Sequence, residues 1–65
     1  MKVYTVSLRQ PNAREILVVA CDNYQYALNT YHKEIDRINS DIYTSVIGVT
    51  LCEWEQGKPT VLQII

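Results

Sequence analysis

Three groups of side chains in this 65-residue sequence are of types that perform chemistry. Cys21 comes first, because it stands directly before a predicted helix start, where free N–H groups and the helix dipole favour a thiolate. A nucleophilic thiol also needs a base in the same pocket. The single histidine, His32, lies about three turns further along the predicted helix. We therefore predict that Cys21 packs as a small apolar side chain, with a thiol enzyme as the alternative hypothesis.

The other two groups contain carboxylates. His32 and Asp36 are spaced by four residues on the predicted helix, but zinc needs two further ligands, so we predict an exposed pair. Glu53 and Glu55 share one strand face while Trp54 points to the other. Paired acids cleave glycosides only within a substrate cleft, for which so short a chain has little material. We predict no catalytic residue, no metal and no cofactor.

The elements that must position these side chains follow from the apolar pattern. Asp22 is a favoured helix N-cap, and Gln25 completes a capping-box pair with it. The apolar stripe that follows predicts one amphipathic helix ending near residues 39–41; its members are Tyr24, Ala27, Leu28, Tyr31, Ile35 and Ile38. Period-two patterns and apolar runs predict strands at residues 2–9, 15–21, 43–55 and 60–65.

The element order β-β-α-β-β predicts an α+β fold in a single domain, residues 1–65. Pro11 and Asn12 predict the first hairpin turn, and Gly57 predicts the second. Placing the first strand between the second and the third makes every pair of neighbours antiparallel. We therefore predict a four-stranded sheet in the order 2-1-3-4, with the helix on one face.

One helix covers only one face of such a sheet. Simple alternation assigns to the covered face Tyr4, Val6, Leu8, Ile16, Val18, Ala20, Ile47, Val49, Leu51, Leu62 and Ile64. It assigns to the uncovered face Leu17, Val19, Cys21, Val46, Cys52 and Trp54, with Val61 and Ile65 near its edge.

A small monomer rarely exposes so large an apolar patch. We therefore predict that a partner protein or a second copy binds the uncovered face, with a binding surface centred on Val19, Val46, Cys52 and Trp54. Glu53 and Glu55 are further predicted partner-binding residues.

Charge and composition narrow the range of partners. A net charge of −1 predicts no strong attraction to nucleic acid or to an anionic membrane. The outer helix face carries Tyr26, Lys33 and Arg37. We predict that these residues bind a protein partner; in the alternative hypothesis they bind a single-stranded nucleic acid. The first residues contain no apolar signal segment, and no apolar run has membrane-spanning length. We predict a cytoplasmic protein with reduced cysteines.

The join VVACDNYQYAL and the closing hairpin LCEWEQGKPTVLQ resemble the layout of very small phage and mobile-element proteins, among them the anti-CRISPR inhibitors. The shared pattern is Val-x-Ala-x-Asp-x-x-x-Ala, matched by Val18, Ala20 and Asp22, with Tyr26 in place of the final Ala and Ala27 one residue later. The resemblance implies an inhibitor that occupies the surface of a larger host protein or ribonucleoprotein. It assigns no role to an individual residue.

Overall fold

The computed structural model describes residues 1–40 and 45–65. Its elements are β1 (Lys2–Gln10), β2 (Arg14–Cys21), α1 (Tyr24–Ser40), β3 (Gly48–Glu55) and β4 (Lys58–Ile64). Within these residues four strands form one antiparallel sheet in the order β2-β1-β3-β4. The predicted fold class and strand order are confirmed.

Helix α1 covers one face of the sheet with the predicted stripe. Ala27 and Tyr31 are buried, and the ring of Tyr24 meets that of Tyr4 edge-on with centroids 5.5 Å apart. Both central strands supply the core beneath the helix, because β1 and β3 are each paired on two sides. The buried strand residues of this core are Val6, Leu8, Val49 and Leu51, and the helix residues that pack against it are Leu28, Ile35 and Ile38.

The helix begins one residue later than the capping pattern predicts. The Asn23 side-chain oxygen accepts a hydrogen bond from the backbone N–H of Tyr26 at 2.9 Å, which is the geometry of an N-cap. The prediction that Asp22 caps the helix is therefore wrong. Gln25 donates instead to the side chain of Asn29, one turn further on.

The two hairpin turns contain left-handed residues. Asn12 has φ 71° and Ala13 has φ 61° in the turn between β1 and β2. Gln56 has φ 52° and Gly57 has φ 77° in the two-residue turn between β3 and β4, as a tight hairpin of matching twist requires. The predicted turns are confirmed, but the sequence does not predict the left-handed backbone of Ala13 or of Gln56.

Strand β3 is shorter than predicted. It starts at Gly48, and residues 45–47 are not in a strand; the predicted part at residues 43–44 lies outside the described residues. Ile47, which we placed on the covered face, is 64% exposed. Val46 packs against the core instead of lying on the uncovered face. Both face assignments fail because alternation cannot be extended past the end of a strand.

A β-bulge in β2 changes which residues face the helix. Val6 is opposite Val19 and the next residue, Ser7, is opposite Leu17, so Val18 is an extra residue. An extra residue reverses the alternation beyond it.

Val19 and Cys21 therefore pack against the core on the helix side, and Ala20 lies opposite Thr5 on the other face. The faces that simple alternation assigns to Val19, Ala20 and Cys21 are therefore wrong.

A second bulge, in β4, also reverses the alternation of side chains between the two faces. Leu51 is opposite Gln63 while Cys52 is opposite Val61, so Leu62 is the extra residue. Leu62 packs against the core as predicted. Ile64 lies opposite Thr50 and so faces away from the helix, contrary to its predicted place on the covered face.

A candidate binding groove on the open sheet face

The sheet face opposite α1, which we call the open face, keeps several large apolar side chains in contact with solvent. Leu17 on β2 is 61% exposed, and Val61 and Ile64 on β4 are 53% and 58% exposed. Trp54 on β3 is 38% exposed. Trp54 and Cys52 thus lie on this face as predicted, whereas Val19, Cys21 and Val46 do not.

Small polar side chains separate these apolar residues. A groove of about 350 Å³ runs along the middle of the open face, lined by Thr5, Ser7, Glu15, Leu17, Thr50, Cys52 and Trp54. The sequence prediction of a continuous apolar patch is therefore wrong in its centre. A polar trench with apolar side chains beside it replaces that patch.

Trp54 is held at one end of the groove. Its indole N–H donates a hydrogen bond to Thr5 Oγ1 at 2.9 Å. The bond links β3 to β1 and satisfies the polar edge of the indole, while more than a third of the side chain stays accessible.

Glu15 lies at the other end of the groove, where its strand neighbour is Arg9. The guanidinium of Arg9 donates to the backbone carbonyl of Ile65, passing over Gly48, whose missing side chain leaves the space. Among the described residues Glu15 has no salt-bridge partner. The groove therefore has an unpaired negative charge at this end.

Burial affects two side chains on the groove floor, Cys52 and Thr50. Desolvation, followed by the negative charge of Glu15, raises the pKa of the Cys52 thiol. Thr50 is only 6% exposed, and its hydroxyl oxygen has no hydrogen-bond partner within the described part of the chain. The floor thus presents neutral polar groups.

The other cysteine faces the core. The Cys21 thiol donates to the backbone carbonyl oxygen of Asn23 at 3.4 Å, and the side chain packs against the core cluster. A thiol in this position contributes packing and a weak hydrogen bond.

The acidic pairs lie apart from the groove. Glu53 and Glu55 share the helix side, opposite to Trp54, as predicted. Glu53 forms a salt bridge with Lys2 at 3.1 Å, and hydrogen bonding to this carboxylate raises the pKa of Lys2. Within residues 1–40 and 45–65 no three side chains of His, Cys, Asp or Glu cluster as a metal would require, and His32 and Asp36 are exposed.

The outer helix residues form a separate surface. Tyr26 and Lys33 are exposed on α1, and Arg37 forms an ion pair with Glu34 at 2.9 Å. The sheet and the helix separate this surface from the open face. The residues predicted to bind a partner are thus divided between two surfaces.

Four polar residues of the groove were not among the predicted site residues: Thr5, Ser7, Glu15 and Thr50. The alternation in β1 contained the signal for two of them, because Thr5 and Ser7 alternate with core residues. Comparisons with protein-family models, curated proteins and solved structures found no match. No helix in the described residues is long and apolar enough to cross a membrane.

Proposed function

We propose that this protein is a non-catalytic protein-binding module whose contact surface is the open face. The observation that carries the proposal is the exposure of Leu17, Trp54, Val61 and Ile64 beside a polar groove, on the sheet face that α1 leaves uncovered. Apolar side chains of this size, grouped on one face, are typical of an interaction surface.

The size of the face fits this role. Four strands about 4.8 Å apart, each about eight residues long at about 3.3 Å per residue, give a flat area of roughly 500 Å². Side-chain relief increases the accessible area towards the roughly 800 Å² that each partner contributes to a standard interface. The open face is therefore large enough for a specific complex.

Trp54 is the expected anchor residue. Tryptophan is enriched among the side chains whose removal most weakens protein complexes. The hydrogen bond to Thr5 fixes the indole before binding, so that less conformational entropy is lost when a partner contacts it.

The rival classes have weaker support. The Cys21 thiol packs inward and bonds a backbone carbonyl, which weighs against a thiol enzyme. The charge of Arg37 is paired with Glu34, which weighs against a nucleic-acid-binding protein that would use a basic stripe on the outer helix face. The narrower hypothesis, a phage-type inhibitor that acts by occluding a host assembly, stays a prediction.

Substitutions on the two surfaces test the proposal. Leu17→Glu and Trp54→Glu place a charge on the open face, and Tyr26→Glu is the matched control on the outer helix. We expect tagged wild type and Tyr26→Glu to retain the same bound protein from cells that encode the chain, or the same self-association in sedimentation. We expect both open-face variants to lose it while keeping the wild-type circular dichroism spectrum. Binding that survives Leu17→Glu and Trp54→Glu contradicts the proposal.

A further inference from the structure

We propose that the groove of the open face binds an arginine side chain presented by the partner protein. This inference rests on the proposed function and names the chemistry that the partner offers. It is carried by the Ser7 hydroxyl on the groove floor, the unpaired Glu15 carboxylate at one end and the apolar side chain of Leu17 along the wall.

The groove floor offers one accessible hydrogen-bond acceptor. Ser7 and Thr50 are opposite each other on neighbouring strands and both line the groove. The Thr50 hydroxyl oxygen has almost no accessible surface, so Ser7 supplies the hydroxyl that a groove occupant can reach. A guanidinium carries five N–H donors in a planar fork and so can donate to the Ser7 hydroxyl and the Glu15 carboxylate together, whereas a lysine ammonium has only three donors.

The charge at the groove end selects a cation. Glu15 has no salt bridge within the described residues, because the guanidinium of its neighbour Arg9 is directed across Gly48 to the Ile65 carbonyl. The field of Glu15 extends along the groove, since it contributes to the raised pKa of Cys52. A hydrogen bond between a carboxylate and a guanidinium is stronger than one between neutral groups.

The wall of the groove fits the aliphatic stem. Leu17 and Glu15 are two residues apart on β2, which corresponds to about 7 Å along the strand. An extended arginine side chain spans this distance, so its methylene groups lie against Leu17 when its head reaches Glu15. Trp54 then contacts the partner backbone at the entrance of the groove.

A short peptide tests this directly. Acetyl-Ala-Arg-Ala-amide is titrated into ¹⁵N-labelled protein and compared with the same peptide containing citrulline, which is nearly isosteric but neutral. We expect the arginine peptide to shift the amide signals of Ser7, Leu17 and Thr50, and the citrulline peptide to bind at least about tenfold more weakly. Glu15→Gln should remove this difference, and Glu55→Gln, on the helix side, should leave it unchanged. Equal binding of both peptides, no binding, or signal changes confined to α1 overturn the inference.

The result also separates this inference from the proposed function. If Leu17→Glu abolishes partner capture but the peptides bind equally or not at all, the arginine site is wrong and the binding module stands. If the arginine peptide binds selectively while Leu17→Glu leaves partner capture intact, the groove site stands and the proposed function is wrong.

Discussion

The indole N–H of Trp54 and the hydroxyl oxygen of Thr5 are 2.9 Å apart, and their hydrogen bond crosses from β3 to β1 on the open face. This bond joins the largest exposed aromatic side chain of that face to the small polar residues of the groove. The shape of the groove end therefore depends on Thr5.

Thr5→Val removes the acceptor while keeping the shape of the side chain. We expect the free energy of unfolding to fall by about 1 kcal/mol, the usual value for one hydrogen bond. Thr5→Ser keeps the hydroxyl and should retain the Trp54 fluorescence spectrum of the wild type. Urea unfolding followed by this single tryptophan measures both effects. Equal spectra for Thr5→Val and wild type would contradict the assignment.

Asn23→Ala should destabilise the protein by about 1 kcal/mol, because the Tyr26 N–H loses its capping acceptor. Asp22→Ala is the matched control and should cost clearly less, since its side chain does not cap the helix. Thermal or urea unfolding of the two variants provides the comparison. A larger loss for Asp22→Ala would restore the cap that the sequence pattern predicts.

Ala13→Gly should stabilise the protein by about 1 kcal/mol. Ala13 has φ 61°, a conformation in which a Cβ is strained and glycine is not. Ala20→Gly is the control within β2, where the backbone is extended, and it should destabilise by about 0.5–1 kcal/mol. Opposite signs for the two substitutions are the expected result of chemical denaturation.

Gly48→Ala should destabilise the protein by about 1–3 kcal/mol, the range for overpacking. A Cβ at this position meets the Arg9 guanidinium and the Ile65 carbonyl. In the double variant Arg9→Ala, Gly48→Ala, part of the penalty should disappear because the guanidinium is absent. Strict additivity of the two single variants would show that Arg9 does not occupy this space.

The stability of the protein should fall at alkaline pH through Cys52. Burial and Glu15 raise the thiol pKa above its ordinary value of 9.0 in the folded state. This stabilisation is fully present below the pKa of the unfolded thiol and is lost as the pH rises through the folded pKa. Cys52→Ser should therefore lose less stability than the wild type between about pH 8 and about pH 10. Parallel pH profiles would contradict the burial of this thiol.

Strand order and the helix stripe were predictable because strand direction and periodicity constrain them. β1 alternates core and polar residues, and antiparallel pairing then favours the order 2-1-3-4 over 1-2-3-4, which needs one parallel pair. The cap was missed by one residue because Asp22 and Asn23 are both good N-cap types, so composition alone does not separate them.

The groove was not predictable for a different reason. β2 is apolar from Ile16 to Cys21, so no polar residue marks the phase of its alternation and the bulge at Val18 leaves no trace in the sequence. The β4 bulge misleads differently, because the polar Gln63 between Leu62 and Ile64 predicts that these two apolar residues share one face, whereas the pairing register separates them. Which apolar residues surround the groove therefore depends on two irregularities that only the pairing register reveals.

The bulge in β2 also protects an exposed strand edge against aggregation. β2 lies at the margin of the sheet, with Leu17 and Ala20 on one face and Ile16 and Cys21 on the other. Among antiparallel pairings of two such edges, the register that matches the faces along the whole strand sets Leu17 opposite Ala20 of the second copy. That register sets Glu15 opposite Asp22, a like-charged pair that is repelled at both ends of the contact. The irregularity that shapes the open face thus also discourages growth of the sheet from molecule to molecule.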